Sequence, residues 1–269
     1  MQLSALPYHA KVKDHFYNQS KTWQFFASAK TKEGQLVEFK AELLKNSYKF
    51  DPAIDKSIYE KVNLAKDKLG LESLPVTVYQ AQYTDELNAS IVYLNNEAHI
   101  VFSGKIIQLL SQEELVAVLA HELTHIKLYS MLNGDMEVAD RIITSIANNH
   151  NSEASYYETA RLFKLYTEIF CDRGAFIAVG NTAPVITSLV KIATGLDNIN
   201  AESYIKQAEE IFSIDGASSQ AKAVSHPENF IRAKAIDLWS KKNKDAEEEI
   251  IKMIEGVAQL DQLDIFKQE

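Results

Sequence analysis

The stretch VLAHELTHIKL, Val118 to Leu128, constrains this chain more than any other, because two histidines and a glutamate interrupt an apolar run. Ser111 and Glu114 just upstream make an S-x-x-E capping box. Leu115, Val118, Leu119 and Leu123 then follow at helical spacing, so the segment reads as a helix opening at Ser111. On it His121 and His125 stand four residues apart, about 40° around the axis, and both imidazoles can reach one metal ion from the same face. Glu122 is placed to take a proton from a water on that ion, whose pKa zinc lowers toward ~7, and to pass it on to a leaving amine. The plainer reading is two histidines falling by chance on an amphipathic helix. It is disfavoured because AVLA before the motif and IKL after it bury one side of the helix, where an unpaired imidazole is costly.

A catalytic zinc takes three protein ligands and keeps one position open. A third histidine six residues after His125 would need glycine at 128 and histidine at 131, and the chain has Leu128 and Met131. The remaining known solution is a glutamate from a later helix. YTEIFCDRGAFIAVG offers Glu168, with Asp172 four residues on and on the same face. Glu168 would bind the metal while Asp172 accepts a hydrogen bond from the far nitrogen of a ligand histidine. E-x-x-x-D alone is a weak pattern. Glu153, Glu158 and His150 are rival third ligands, and Asp172 could instead pair with Arg173 or Arg161.

The rest of the chain narrows the class. With 269 residues and 46% hydrophobic side chains it can bury a core. Its longest central apolar run, LVAVLA, falls far short of the roughly 18 residues of a membrane helix, and MQLSALPYHAKVKDHF lacks the core of a signal peptide. A soluble, cytoplasmic protein without membrane insertion is expected. The formal charge of -9, with no stripe of Lys and Arg, argues against a nucleic-acid partner. A single cysteine, Cys171, excludes an internal disulfide and reads as a small core residue rather than a nucleophile.

Helices are expected around DHFYNQSKTWQFFASAK, around EGQLVEFKAELLKNSYKF, and in DPAIDKSIYEKVNLAKDKLG, which opens on Asp51-Pro52 and closes on Lys68 and Gly70. LPVTVYQAQ, NASIVYL and AHIVFSG, the last two flanking Asn95-Asn96, predict a small, mainly antiparallel sheet. Another helix runs from about Ala154 through EIFCDRGAFIAV. Further helices follow Pro184, and SIDGASSQAKAVSHPE is a loop between them.

HELTH, then EIFCDRGA, then His226-Pro227 with Arg232 six residues after the histidine, resembles the zinc metallopeptidase family of HtpX and the CAAX prenyl endopeptidases, within the gluzincins. LPVTVYQAQYTDELNAS is similar to the family's strand leading to an Asn-Ala motif, here Asn88-Ala89. The likeness spans about residues 70 to 240. It implies one zinc ion held by His121, His125 and Glu168, Glu122 as base, Asp172 behind a ligand, His226 at the oxyanion and Arg232 in support. Two departures stand out. Membrane members carry hydrophobic spans, whereas the residues separating His125 from Glu168 are polar, and Cys171 stands where the family often has alanine.

The expectation is therefore an α+β, mainly α, zincin-like peptidase with a small sheet against the HELTH helix. A helical region over 1–70, a catalytic region over 71–240 and a helical extension over 241–269 would form one compact unit. The helix bearing EIFCD is expected to pack on the HELTH helix. The edge strand at Asn88, Ala89, Ser90 and Ile91 is expected to hold a peptide or unfolded-protein substrate by backbone hydrogen bonds. A binding or chaperone-like protein that keeps the zinc site without turnover is the alternative, and it leaves Glu122 without a task.

Overall fold

The structure is a computed structural model and describes residues 3–28, 33–149, 151–214, 221–223, 225–256 and 263–267, without the side chains of 33–36. In chain order the described elements are α1 (Pro7–Tyr17), α2 (Ser20–Ser28), α3 (Glu33–Asn46), β1 (Ser47–Lys49), α4 (Lys56–Leu69), β2 (Val76–Ala81), β3 (Asn88–Leu94) and β4 (Glu97–Ser103). They continue with α5 (Ile106–Leu109), α6 (Gln112–Ser130), α7 (Asp135–Ala147), α8 (Ala154–Val179), α9 (Thr182–Thr194), α10 (Ala201–Ser213), α11 (Asn229–Ser240) and α12 (Ala246–Glu255). The expected α+β class, mainly α, holds. The chain forms two compact units that interleave in sequence: Met1–Ala29, Leu128–Asp172 and Ser203–Glu269 in the first, Lys30–Lys127 and Arg173–Glu202 in the second.

The first unit is helical. Its core gathers Val12 and Phe16 from α1, Ile142 and Ile143 from α7, Phe163 and Phe170 from α8, and Ile231 and Trp239 from α11. The C-terminal segment belongs to this core: Tyr8 stacks on Tyr166 with ring centroids 4.9 Å apart, and its hydroxyl donates to Asp264 at 2.7 Å. Burial, with Asp264 and Glu255 nearby, pushes the Tyr8 hydroxyl far above its ordinary range. His9 is fully buried, its Nδ1 facing the Leu6 N–H and its Nε2 facing Thr167 Oγ1. The single helix expected around DHFYNQSKTWQFFASAK is two, α1 and α2. The earlier start follows from Pro7, whose fixed φ suits the first helical position.

The second unit is built on a four-stranded sheet in the order β1-β2-β4-β3. β3 and β4 form a hairpin whose corner residues Asn95 and Asn96 both have positive φ, as a two-residue hairpin turn requires. That hairpin lays β3 at the outside and returns β4 beside β2, so β2 and β4 run parallel. The sheet is thus mixed rather than simply antiparallel, because the β2–β3 connection steps over the place that β4 fills. Val78, Ala98, Ile100 and Phe102 are buried on one face. The other carries Tyr79 and His99, covered by α3 through the ring of Phe39 and a 2.6 Å bond from Lys40 to Glu97.

Two expected helix boundaries change here. Ser47–Lys49, expected to end the second helix, instead pairs with β2 in the register Tyr48↔Gln80, tertiary pairing overriding local helix preference. α4 opens at Lys56 and not at Asp51-Pro52, because Asp51 is spent on a local turn: its carboxylate accepts from the Ala53 N–H at 2.7 Å and its carbonyl from the Asp55 N–H. The helix ends as expected, with Gly70 in the left-handed conformation at φ 66°.

Candidate metal centre

The capping box expected at Ser111 forms in both directions. The Ser111 N–H donates to Glu114 Oε2 at 2.7 Å, and the Glu114 N–H donates to Ser111 Oγ at 3.3 Å. The Glu114 carboxylate also accepts from Thr187 at 2.6 Å and Lys191 at 3.0 Å, which ties the start of α6 to α9. Burial raises the Glu114 pKa, but these donors outweigh it and hold the carboxyl below its usual range. α6 therefore starts from a fixed point, two and a half turns before the histidines.

Within the second unit, the His121 and His125 rings share one face of α6, their centroids 5.4 Å apart and their planes at 76°. Both are half-buried, and Glu122 is 8% exposed. Thr124 is fully buried, and its hydroxyl donates to the Ala120 carbonyl at 2.6 Å. Thr124 marks a contact the sequence reading missed. A Cβ added to Gly174 would lie 2.0 Å from Thr124 Oγ1, so the C-terminal part of α8 packs against the motif helix with no room for a side chain at 174. An isolated glycine inside a helical pattern was the available signal, since such a glycine costs helix stability unless packing demands it.

Within the first unit, α8 and α11 bring together the remaining polar residues. Arg232 closes a fork on Asp172, with Nε donating to Oδ2 and Nη2 to Oδ1, both at 2.7 Å. Its Nη2 also stands 3.7 Å from Glu168 Oε2, and His226 Nε2 lies 3.7 Å from the same oxygen. Glu168, Asp172 and Arg232 are buried and His226 is exposed. Burial alone would pull the Arg232 guanidinium down, but the charges of Asp172 and Glu168 outweigh it and push its pKa up. The histidine itself takes a 2.9 Å contact from its neighbour Ser225.

Other sequence candidates fall as follows. Arg161 is engaged with Glu158 at 2.7 Å and with the carbonyls of Ala221 and Ala223, so it is not the partner of Asp172; Arg232 is. That same fork engages Glu158. His150 lies outside the described residues. Cys171 is buried among the core residues of the first unit. Asn88, Ala89, Ser90 and Ile91 lie on the outer strand of the sheet, where Asn88 and Ser90 are exposed.

The sequence profile of peptidase family M48 matches residues 52–240. Plastoglobule-localized metallopeptidase 48, chloroplastic, from Arabidopsis thaliana is 30% identical over 196 residues, 66% of this chain and 55% of that protein. The chain thus spans about half the length of that relative. No solved structure matches. No described helix is long and apolar enough to cross a membrane.

Proposed function

The chain belongs to peptidase family M48, and on that premise we propose that it is a zinc-dependent endopeptidase with Glu122 as general base. His121, His125 and Glu168 are its metal ligands in this reading, which follows the HtpX and CAAX-peptidase pattern of the gluzincins. The observation that carries it is the imidazole pair on one face of α6, 5.4 Å between centroids, inside the matched residues. The donor chemistry fits: two imidazoles and a carboxylate make the three-ligand set of a catalytic zinc and leave one position open.

When bound, zinc lowers the pKa of water toward ~7 and polarises the scissile carbonyl. The chain's own residues do the rest. Glu122, shielded from bulk water, takes the proton from the attacking water and delivers it to the leaving amine. Asp172, gripped by Arg232, accepts from a ligand histidine and sets its tautomer; the rigid fork supports that role. His226, exposed and close to Glu168 Oε2, donates to the developing oxyanion. The substrate, a peptide or an unfolded protein, adds a strand along Asn88 to Ile91. Residues 71–240 carry this chemistry, and the cytoplasm, supported by the lone cysteine, is the compartment we assign.

Elemental analysis and peptide digestion test the reading together. Protein purified without chelator should hold one zinc per chain, and Glu168→Ala should lose it. Glu122→Gln should keep zinc and fold but lose at least ~100-fold in kcat/KM on a quenched peptide. A zinc-free wild type, or equal cleavage by wild type and Glu122→Gln, would overturn it.

A further inference from the structure

A groove of about 500 Å3 opens in the second unit at the foot of the edge strand, lined by Asp85, Leu87, Lys105, Leu109, Gly195 and Asp197. Its size falls in the range of specific binding pockets, roughly 300–1,000 Å3. The walls are held in place by packing. Gly104 lies so close to the 85–86 backbone that a Cβ there would sit 2.8 Å from the Asp85 and Glu86 carbonyls, and Gln80 donates to the Gly104 carbonyl at 2.9 Å. Gly195, in the left-handed conformation at φ 72°, lies near Leu87: a Cβ there would touch Leu87 Cδ1 at 3.9 Å, an ordinary contact.

Leu87 leads directly into Asn88, the first residue of β3. A peptide paired along β3 reaches this groove as it passes the strand's start, and alternate side chains of an extended peptide point to the same side. Leu87 and Leu109, both half-buried, offer apolar surface for an aliphatic stem. Asp85 and Asp197 supply two carboxylates against the one ammonium of Lys105, leaving one negative charge in excess. None of the three forms an ion pair among the described residues. Arginine combines an aliphatic stem with a planar cation that carboxylates bind through paired hydrogen bonds.

We propose that this groove is a specificity subsite for an arginine side chain of the peptide substrate, at one fixed distance from the cleaved bond. The proposal rests on the peptidase reading for its ligand class. Lys105 opposes the occupant, so the three charges have opposite expected effects.

The test uses the full chain carrying Glu122→Gln, dye-labelled peptides with arginine or its neutral isostere citrulline at each position in turn, and fluorescence anisotropy. One register should favour arginine by about three- to tenfold, as expected for two exposed charge contacts, and 0.5 M salt should shrink the preference. Adding Asp85→Asn and Asp197→Asn should reduce the preference to below about twofold, while adding Lys105→Gln should enlarge it. Melting curves establish that each variant is folded, and the Lys105→Gln arm stands even if the double variant is not. Equal binding of arginine and citrulline peptides, no binding of either, or a preference that survives the double substitution overturns the subsite. Digestion of the same peptides by the wild type separates the two ideas. An arginine preference in binding with no cleavage of any peptide keeps the groove and sinks the peptidase. Cleavage of arginine and citrulline peptides at equal rates does the reverse.

Discussion

Gly174→Ala should be among the most damaging conservative substitutions in the chain. The added methyl would meet three atoms of Thr124, at 2.0 Å from Oγ1, 2.6 Å from Cγ2 and 2.8 Å from Cβ, where ordinary contacts lie at 3.4–4 Å. Thr124 cannot turn aside freely: it is fully buried and its hydroxyl is bonded to Ala120. The helices must separate, at a cost near the upper end of the ~1–3 kcal/mol typical of overpacked cores. Replacing glycine by alanine inside a helix returns about 1 kcal/mol of intrinsic preference. The net expectation is a loss of about 2 kcal/mol, which for a chain of this size lowers Tm by roughly 4–8 °C. Thr124→Ala removes two of the three clashing atoms, so the double variant should be more stable than the sum of the singles by at least ~1 kcal/mol. Urea unfolding followed by circular dichroism measures all four proteins. Since Thr124 lies between Glu122 and His125, kcat/KM should fall in Gly174→Ala and partly recover in the double variant. A Gly174→Ala protein as stable as the wild type, or stabilised by its gain in helix preference, refutes the close packing.

Three further outcomes follow from the first unit. Burial lowers His9 from 6.5 to about 3, so between those values the unfolded chain takes up a proton that the folded chain refuses. Its contribution is complete above pH 6.5 and is lost as pH falls toward 3, by up to ~5 kcal/mol; a His9→Leu variant with an unchanged slope of stability against pH would contradict this. Tyr8→Phe leaves the buried Asp264 carboxylate without its 2.7 Å donor and should cost about 1–3 kcal/mol in urea unfolding; a cost below ~0.5 kcal/mol would show that the C-terminal segment is not held through this bond. Asp172→Asn breaks a buried, forked ion pair and should cost about 3–5 kcal/mol as well as weakening zinc affinity about 10- to 100-fold. Zinc loss with full stability would mean that Arg232 finds another partner.

Patterns carried by contiguous residues were legible from the chain alone. The capping box of Ser111 and Glu114, the helical spacing that puts His121 and His125 on one face, the Asn95-Asn96 hairpin and the Gly70 stop each depend on residues a few positions apart, where local geometry decides the outcome. Such features form wherever the segment sits. Other features depend on what another part of the chain brings to the spot. Ser47–Lys49 became a strand because β2 offered an open edge, and β4 runs parallel to β2 because the hairpin returns between two strands. Asp172 met Arg232, sixty residues on, rather than Arg161, and Gly174 acquired its purpose only when Thr124 was packed against it. A sequence pattern records which groups can interact. Among several candidates of the same charge or size, burial and distance select one, and those are properties of the folded chain.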